Sequence, residues 1–269
     1  MQSFLQSVLI GWLEQTAWPM TPPQPYSAFH LLFAVLGTGL SALLARALAR
    51  RFRDRPRARL RFLFACGLIL ALSEIYKQLF LFWIVNRGVY DWWYFPFQLC
   101  SLPMYLCLIL PFCAGKIRRI LYTFLYSYNL LGALMAFLEP SGLMHPYWTL
   151  TLHGFFWHLI LIFLGLFLAF SGSADPSPRG FLGATALFFA GCGIATAVNV
   201  LSHPFGAADM FYISPYFPNT QIVFSRIADR FGIAAGNLSY LAAIVFGAFL
   251  LHLLYRRRSA GSPKEGPAA

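Results

Sequence analysis

The stretch WTLTLHGFFWHLILIFLGLFLAF, Trp148 to Phe170, runs for 23 residues without an aspartate, glutamate, lysine or arginine. As an α-helix rising about 1.5 Å per residue, it is long enough to cross the roughly 30 Å hydrocarbon core of a bilayer. It lacks the period-two alternation of a barrel strand. Backbone amides in hydrocarbon must be satisfied internally, so a membrane helix is the reading.

Comparable apolar runs lie on both sides of it. Toward the amino terminus are Tyr26 to Ala45, Leu60 to Trp83, Phe95 to Cys113 and Ile120 to Leu138; toward the carboxyl terminus are Phe181 to Leu201 and Ile233 to Leu254. Together they predict an all-α polytopic bundle of about seven transmembrane helices. The composition agrees: 59% of the 269 residues are hydrophobic, 11% are charged, and mean hydropathy is +0.63. Such a surface excludes most soluble classes.

The net charge of +11 invites comparison with nucleic-acid-binding proteins, but the basic residues flank apolar runs instead of forming a soluble basic domain. Eight arginines from Arg46 to Arg61, then Lys116, Arg118 and Arg119, then Arg179, then Arg256, Arg257, Arg258 and Lys264 make sixteen of the 20 cations. All fall on alternate connections. The positive-inside rule places those connections in the cytoplasm, with the amino terminus outside and the carboxyl terminus inside. No nucleic-acid partner is expected; membrane phospholipids are.

Residues 1–25 read as an amphipathic interfacial helix, its apolar face made by Phe4, Leu5, Val8, Leu9, Trp12 and Leu13, followed by a Pro-rich linker from Pro19 to Pro25. With no basic n-region, and with Gln6, Ser7 and Glu14 interrupting the apolar run, the segment does not read as a cleaved signal peptide. Residues 26–255 form the transmembrane domain, and 256–269 a polar, disordered cytoplasmic tail. The connection from Ser202 to Gly232 is too long for a simple turn. Its Phe211, Tyr212, Tyr216 and Phe217 suit either an aromatic belt or a lid over a cavity. The five cysteines contain no CxxC pair, so neither a disulfide framework nor a metal site is indicated, and no cofactor is expected.

Polar groups inside apolar helices are costly and tend to face an interior or a water-filled cavity. By helical rise, His30, Cys100, His153 and Asn199 lie at similar depth, within about 10 Å of the outer surface. Deeper are Glu74 and Lys77, three residues apart on one helical face, where they can neutralise each other. A cysteine beside a histidine can be a nucleophile and its base, attacking an ester to give an acyl-cysteine. An isolated cysteine in a membrane helix equally behaves as a small apolar residue. His153 can instead bond across helices, with His158 pointing elsewhere around the helix. A His30, Cys100, His153 metal site has no recognised ligand spacing. Gly132 reads as a close-packing residue.

Several strings carry a resemblance: YSAFH at Tyr26 to His30, Glu74, FPFQLCSLPMYLC at Phe95 to Cys107, NLLGALMAFLEP at Asn129 to Pro140, His153-Gly154, and Asn199 followed by MFYISP at Met210 to Pro215. In order and spacing the chain resembles the YwaF-like integral membrane proteins, distantly similar to the eukaryotic transmembrane protein 164 family. The resemblance implies a multi-pass protein of the plasma membrane, in bacteria the inner membrane. It further implies acyl transfer onto lyso ether phospholipids, with Cys100 at the position of the implicated cysteine. Where many relatives have a histidine two residues before that cysteine, this chain has Gln98, which cannot act as a base at neutral pH.

The expectation is a phospholipid acyltransferase or lipid hydrolase with Cys100 as nucleophile and His153 as general base. His30, Glu74, Lys77, Gln98 and Asn199 would face the substrate, Gln98 or Asn199 as hydrogen-bond donors to the ester. The alternatives are a transporter or lipid-binding protein in which Glu74, Lys77 and His30 line a path, or a scaffold or receptor with no reactive thiol.

Overall fold

The computed structural model describes residues 4–261. Its elements are α1 (Phe4–Glu14), α2 (Ala28–Arg51), α3 (Pro56–Phe80, prolonged by a π turn Leu81–Val85), α4 (Leu102–Ile109), α5 (Gly115–Leu138), α6 (Trp148–Phe170), α7 (Pro178–Ser202), α8 (Ile222–Phe231) and α9 (Ile233–Gly261). Among the described residues, α2, α3, α5, α6, α7 and α9 are long and apolar enough to cross a bilayer. The polytopic helical bundle expected from the sequence is therefore the fold.

The third expected span differs in kind. The Phe95–Cys113 run is helical only over Leu99–Phe112, as a 3-10 turn, α4 and a second 3-10 turn. Fourteen residues rise about 21 Å, short of the hydrocarbon thickness. Proline sets both limits: Pro96 precedes the helix, Pro103 sits where its missing N–H is tolerated, and Pro111 falls in the closing turn. Helix α9 continues through Arg258, so the polar run expected to begin a tail is helical to Gly261; the remainder of that expected tail lies outside the described residues.

The central helix is α5. Ten consecutive residues, Leu121 to Leu130, are buried, which means that the helix has neighbours all round. Its polar side chains tie it to those neighbours. Tyr126 donates to the Leu251 carbonyl of α9, Tyr128 to Thr185 of α7, and Asn129 to the Leu161 carbonyl of α6, at 2.8, 2.8 and 3.0 Å. Two glycines permit close approach: a Cβ on Gly165 would sit 2.8 Å from Leu130 Cβ, and one on Gly67 would sit 2.9 Å from Cys107 Cβ.

The arginine-rich termini gather at one end of the bundle. Phe52 packs against Phe167, the Arg258 guanidinium lies over the Phe170 ring at 4.9 Å, and Tyr255 donates to the Ala174 carbonyl at 3.0 Å. At the other end, α1 docks on α3 and α6. Leu13 is fully buried with Phe80, Leu81 and Leu150, Thr16 and Tyr76 share a hydroxyl–hydroxyl contact of 2.5 Å, and the Trp148 N–H donates to the Trp18 carbonyl at 2.9 Å.

Candidate functional site

A cavity of about 450 Å³ opens between α3, the start of α4, α5, α6 and α9. That volume lies within the usual range of small-molecule sites. Five of the seven residues expected at a site line it: Glu74, Lys77, Gln98, Cys100 and His153. His30 and Asn199 do not.

His30 is held by backbone on both sides. Its Nδ1 accepts from the Tyr26 N–H at 3.1 Å, and its Nε2 donates to the Phe137 carbonyl at 3.0 Å, fixing one tautomer and pinning the start of α2 to the end of α5. Asn199 clamps the Met210 backbone, donating to its carbonyl at 3.1 Å and accepting its N–H at 2.6 Å. Both are joints of the scaffold. Three histidine and cysteine ligands at His30, Cys100 and His153 do not converge, and the described residues contain no grouping of three or more such side chains around one point.

Gln98 serves the same loop from the cavity side. It donates to the Asp209 carbonyl at 2.9 Å and accepts from the Phe211 N–H at 2.7 Å. Held by Gln98 and Asn199, Phe211 and Tyr212 adopt left-handed backbone with φ of 60° and 56°, a conformation costly for aromatic residues unless the surroundings impose it. Phe211 is buried and both rings line the cavity, whereas Tyr216 is exposed and stacks on His203 at 3.7 Å. The long connection thus divides into an inward half that walls the cavity and an outward aromatic half. It also contains α8, whose Phe224 reaches the same wall.

Cys100 sits in the first turn of the helix that starts at Leu99, a 3-10 turn in which the Ser101 N–H donates to the Gln98 carbonyl at 2.8 Å. Its carbonyl accepts from Trp157 Nε1 at 3.0 Å, and the Trp157 ring stacks on His153 with centroids 5.4 Å apart. His153 Nε2 is buried without a hydrogen-bond partner, while the Ser73 backbone is the ring's polar neighbour. His158, expected to point elsewhere, lines the cavity too, with Nδ1 donating to the Gly154 carbonyl at 2.7 Å. The cavity wraps far enough around α6 to meet both.

Glu74 and Lys77 form an ion pair at 2.8 Å in the wall, and Gln78 donates to the same carboxylate oxygen at 2.8 Å. Gly132 also lines the cavity. A Cβ there would meet nothing closer than Leu99 at 3.6 Å, so this glycine leaves space instead of allowing close helix packing, a correction to its expected role. Glu139 and His145, not singled out from sequence, complete the polar lining at the end opposite the arginines. Burial and the Lys77 charge hold the His145 imidazole below its ordinary range.

Fold and cavity together define a polytopic helical membrane protein with a largely apolar cavity, carrying a few polar and charged groups, near one end of the bundle. The model of the TMEM164 family matches residues 25–255, which takes in every wall of that site, and the chain belongs to the TMEM164 family. No curated protein and no solved structure matches it.

Proposed function

We propose that the cavity performs acyl chemistry on membrane phospholipids, with Cys100 as nucleophile and His153 as general base. The observation that carries this reading is the shared wall: a cysteine in a helix first turn and a histidine whose Nε2 has no partner border one cavity and are linked through Trp157. In the first step His153 Nε2 takes the Cys100 proton and the sulfur attacks the ester carbonyl. The carbon–oxygen bond of the ester breaks, the imidazolium returns the proton to the leaving alcohol, and a thioester remains. In the second step a lysophospholipid hydroxyl, or water, attacks the thioester, gives its proton to His153, and the thiol is regenerated. The Ser101 N–H is taken by the Gln98 carbonyl, which leaves the Leu99 and Cys100 amides to stabilise the oxyanion. Gln98, engaged with the 209–211 backbone, holds the wall in place.

Within the family the YwaF-like bacterial branch is the reading that the Phe95 to Cys107 and Asn129 to Pro140 strings support. The arginine-rich end is read as cytoplasmic and the cavity as opening toward the outer half of a plasma membrane. A second reading, a lipid or small-molecule transporter or binding protein, is favoured by the Glu74–Lys77 pair in the wall.

The test uses purified protein and phospholipid with a tagged acyl chain. A hydroxylamine-sensitive adduct on Cys100, absent in Cys100→Ser and weakened in His153→Ala, is the expected result. Folded protein that binds the lipid and forms no adduct would favour the transporter reading.

A further inference from the structure

The cavity's charges do not balance. Glu74 and Lys77 neutralise each other. Glu139, which caps α5 at the end opposite the arginines, accepts from Ser141 Oγ at 2.6 Å and has no cationic side-chain partner among the described residues. No arginine lines the cavity, and burial holds the His145 imidazole in the same wall below its ordinary range. A partly buried carboxylate without a counter-ion is unfavourable. What this wall lacks is a cation.

The aromatic rings that share the cavity with Glu139 specify which kind. Trp93 meets Tyr212 edge to face at 6.1 Å, Tyr212 meets Tyr240 at 6.2 Å, and Tyr240 meets Phe224 at 5.2 Å. All four rings line the cavity, and the Tyr212 phenol is near enough to Glu139 to feel its charge. Aromatic faces attract cations, most strongly when the cation is weakly hydrated, as an alkylammonium is. A metal ion would seek more oxygen ligands than this wall offers.

Depth relates this region to the thiol. The lining residues of α5 extend from Leu131 to Glu139 and those of α6 from Leu150 to His158, a rise of about 12 Å on each helix. Trp157, hydrogen-bonded to Cys100, lies at the deep end, and Glu139 lies at the shallow end. The geometry points to a subsite for an ammonium cation between Glu139 and the Tyr212 ring, against which Trp93 packs, occupied by the cationic headgroup of a zwitterionic phospholipid. The cation rests on the carboxylate and the rings; its being a lipid headgroup rests on the reading of the cavity as a phospholipid site.

Thermal unfolding of the full chain in maltoside micelles, titrated with dihexanoylphosphatidylcholine, dihexanoylphosphatidylglycerol or glycerophosphocholine, tests it, since a ligand of the native state raises Tm by mass action. The phosphatidylcholine is expected to stabilise at concentrations about tenfold lower than the phosphatidylglycerol, in keeping with a cation–π and ion-pair contribution of about that size. Glu139→Gln should abolish the preference, and Trp93→Leu, a change at a partly exposed ring, should reduce it severalfold. Equal stabilisation by the two lipids, or a preference that survives both substitutions, overturns the subsite. Glycerophosphocholine acting as well as the lipid overturns the lipid headgroup in favour of a free ammonium compound. An acyl adduct on Cys100 without a headgroup preference sinks this inference alone; a headgroup preference without an adduct sinks only the acyl chemistry.

Discussion

Trp157 donates its indole N–H to the backbone carbonyl of Cys100 at 3.0 Å, bridging α6 to the first turn of the short helix that carries the thiol. The same ring stacks on His153. One tryptophan therefore sets the relative position of both proposed catalytic groups. Trp157→Phe keeps much of the ring area and removes the donor. The expected cost is about 1 kcal/mol of stability, read as a lower Tm, with a larger proportional loss in Cys100 acylation.

Removing the imidazole of His153 leaves no partner stranded at Nε2, which has none. His153→Ala should thus stay folded while acylation falls by roughly 10² to 10⁴, the range for loss of a general base. Single-turnover acylation rates decide this. A rate within threefold of wild type would reassign the histidine to packing.

Gly132 and Gly165 should respond oppositely. Gly132 faces open cavity, so Gly132→Leu should occupy the site and block lipid entry with Tm little changed. At Gly165 a Cβ would already press on Leu130 Cβ at 2.8 Å and the Leu125 carbonyl at 3.2 Å. Gly165→Leu should destabilise by about 1–3 kcal/mol or more, visible as lost yield of folded protein.

Asp209 supplies a pH dependence outside the membrane-spanning helices. Its Oδ1 accepts from the Ser214 N–H at 2.8 Å, but Oδ2 is buried without a partner. Burial pushes the carboxyl up to about 6 from its ordinary 3.8. The folded state therefore holds the proton more tightly than the unfolded state. The associated stability is present below about pH 4 and is lost as pH rises through 6, by about 3 kcal/mol in all. Asp209→Asn should flatten this part of the Tm–pH profile and raise Tm at pH 7. A profile unchanged by the substitution would show that the carboxylate finds a partner in solution.

Gln98→Ala removes one of the side chains that hold the 209–212 backbone, leaving Asn199 on Met210 and Asn219, whose Nδ2 donates to the Tyr212 carbonyl at 2.8 Å. Local opening of residues 209–212 should be accelerated in hydrogen exchange, with the central α5 amides unaffected.

Much of the fold was legible because long charge-free runs have one solution in hydrocarbon. The spans around Trp148 and Ile120 needed only length and composition. Phe95 to Cys113 misled because apolar content hid what Pro96, Pro103 and Pro111 do to helix length. Helix α8 was missed because its ten residues are too short and too charged to read as a span, although Arg226, Asp229 and Arg230 share one face and Phe224, Ile227, Ala228 and Phe231 the other, the period of an amphipathic helix. For the site, depth along each span brought Cys100 and His153 to one level. Depth does not give direction around a helix, so His30 and Asn199, equally shallow, face backbone partners instead of the cavity. Glu139 and His145 were invisible as lining groups because loop residues acquire a wall only once α5 and α6 are docked.

The docking of α1 has a bearing on how the chain is assembled. Trp18 and the amide it receives, that of Trp148, are separated by 130 positions in order of synthesis. Leu13, fully buried in the finished protein, has no Leu150 to cover it until α6 has been made. Until then Leu13 has only Phe80 and Leu81 of α3 to rest on, and the rest of its surroundings is lipid. The burial of α1 therefore comes in two stages, the first with α3 and the second only once the start of α6 is in place, before α7 and α9 have packed on α5.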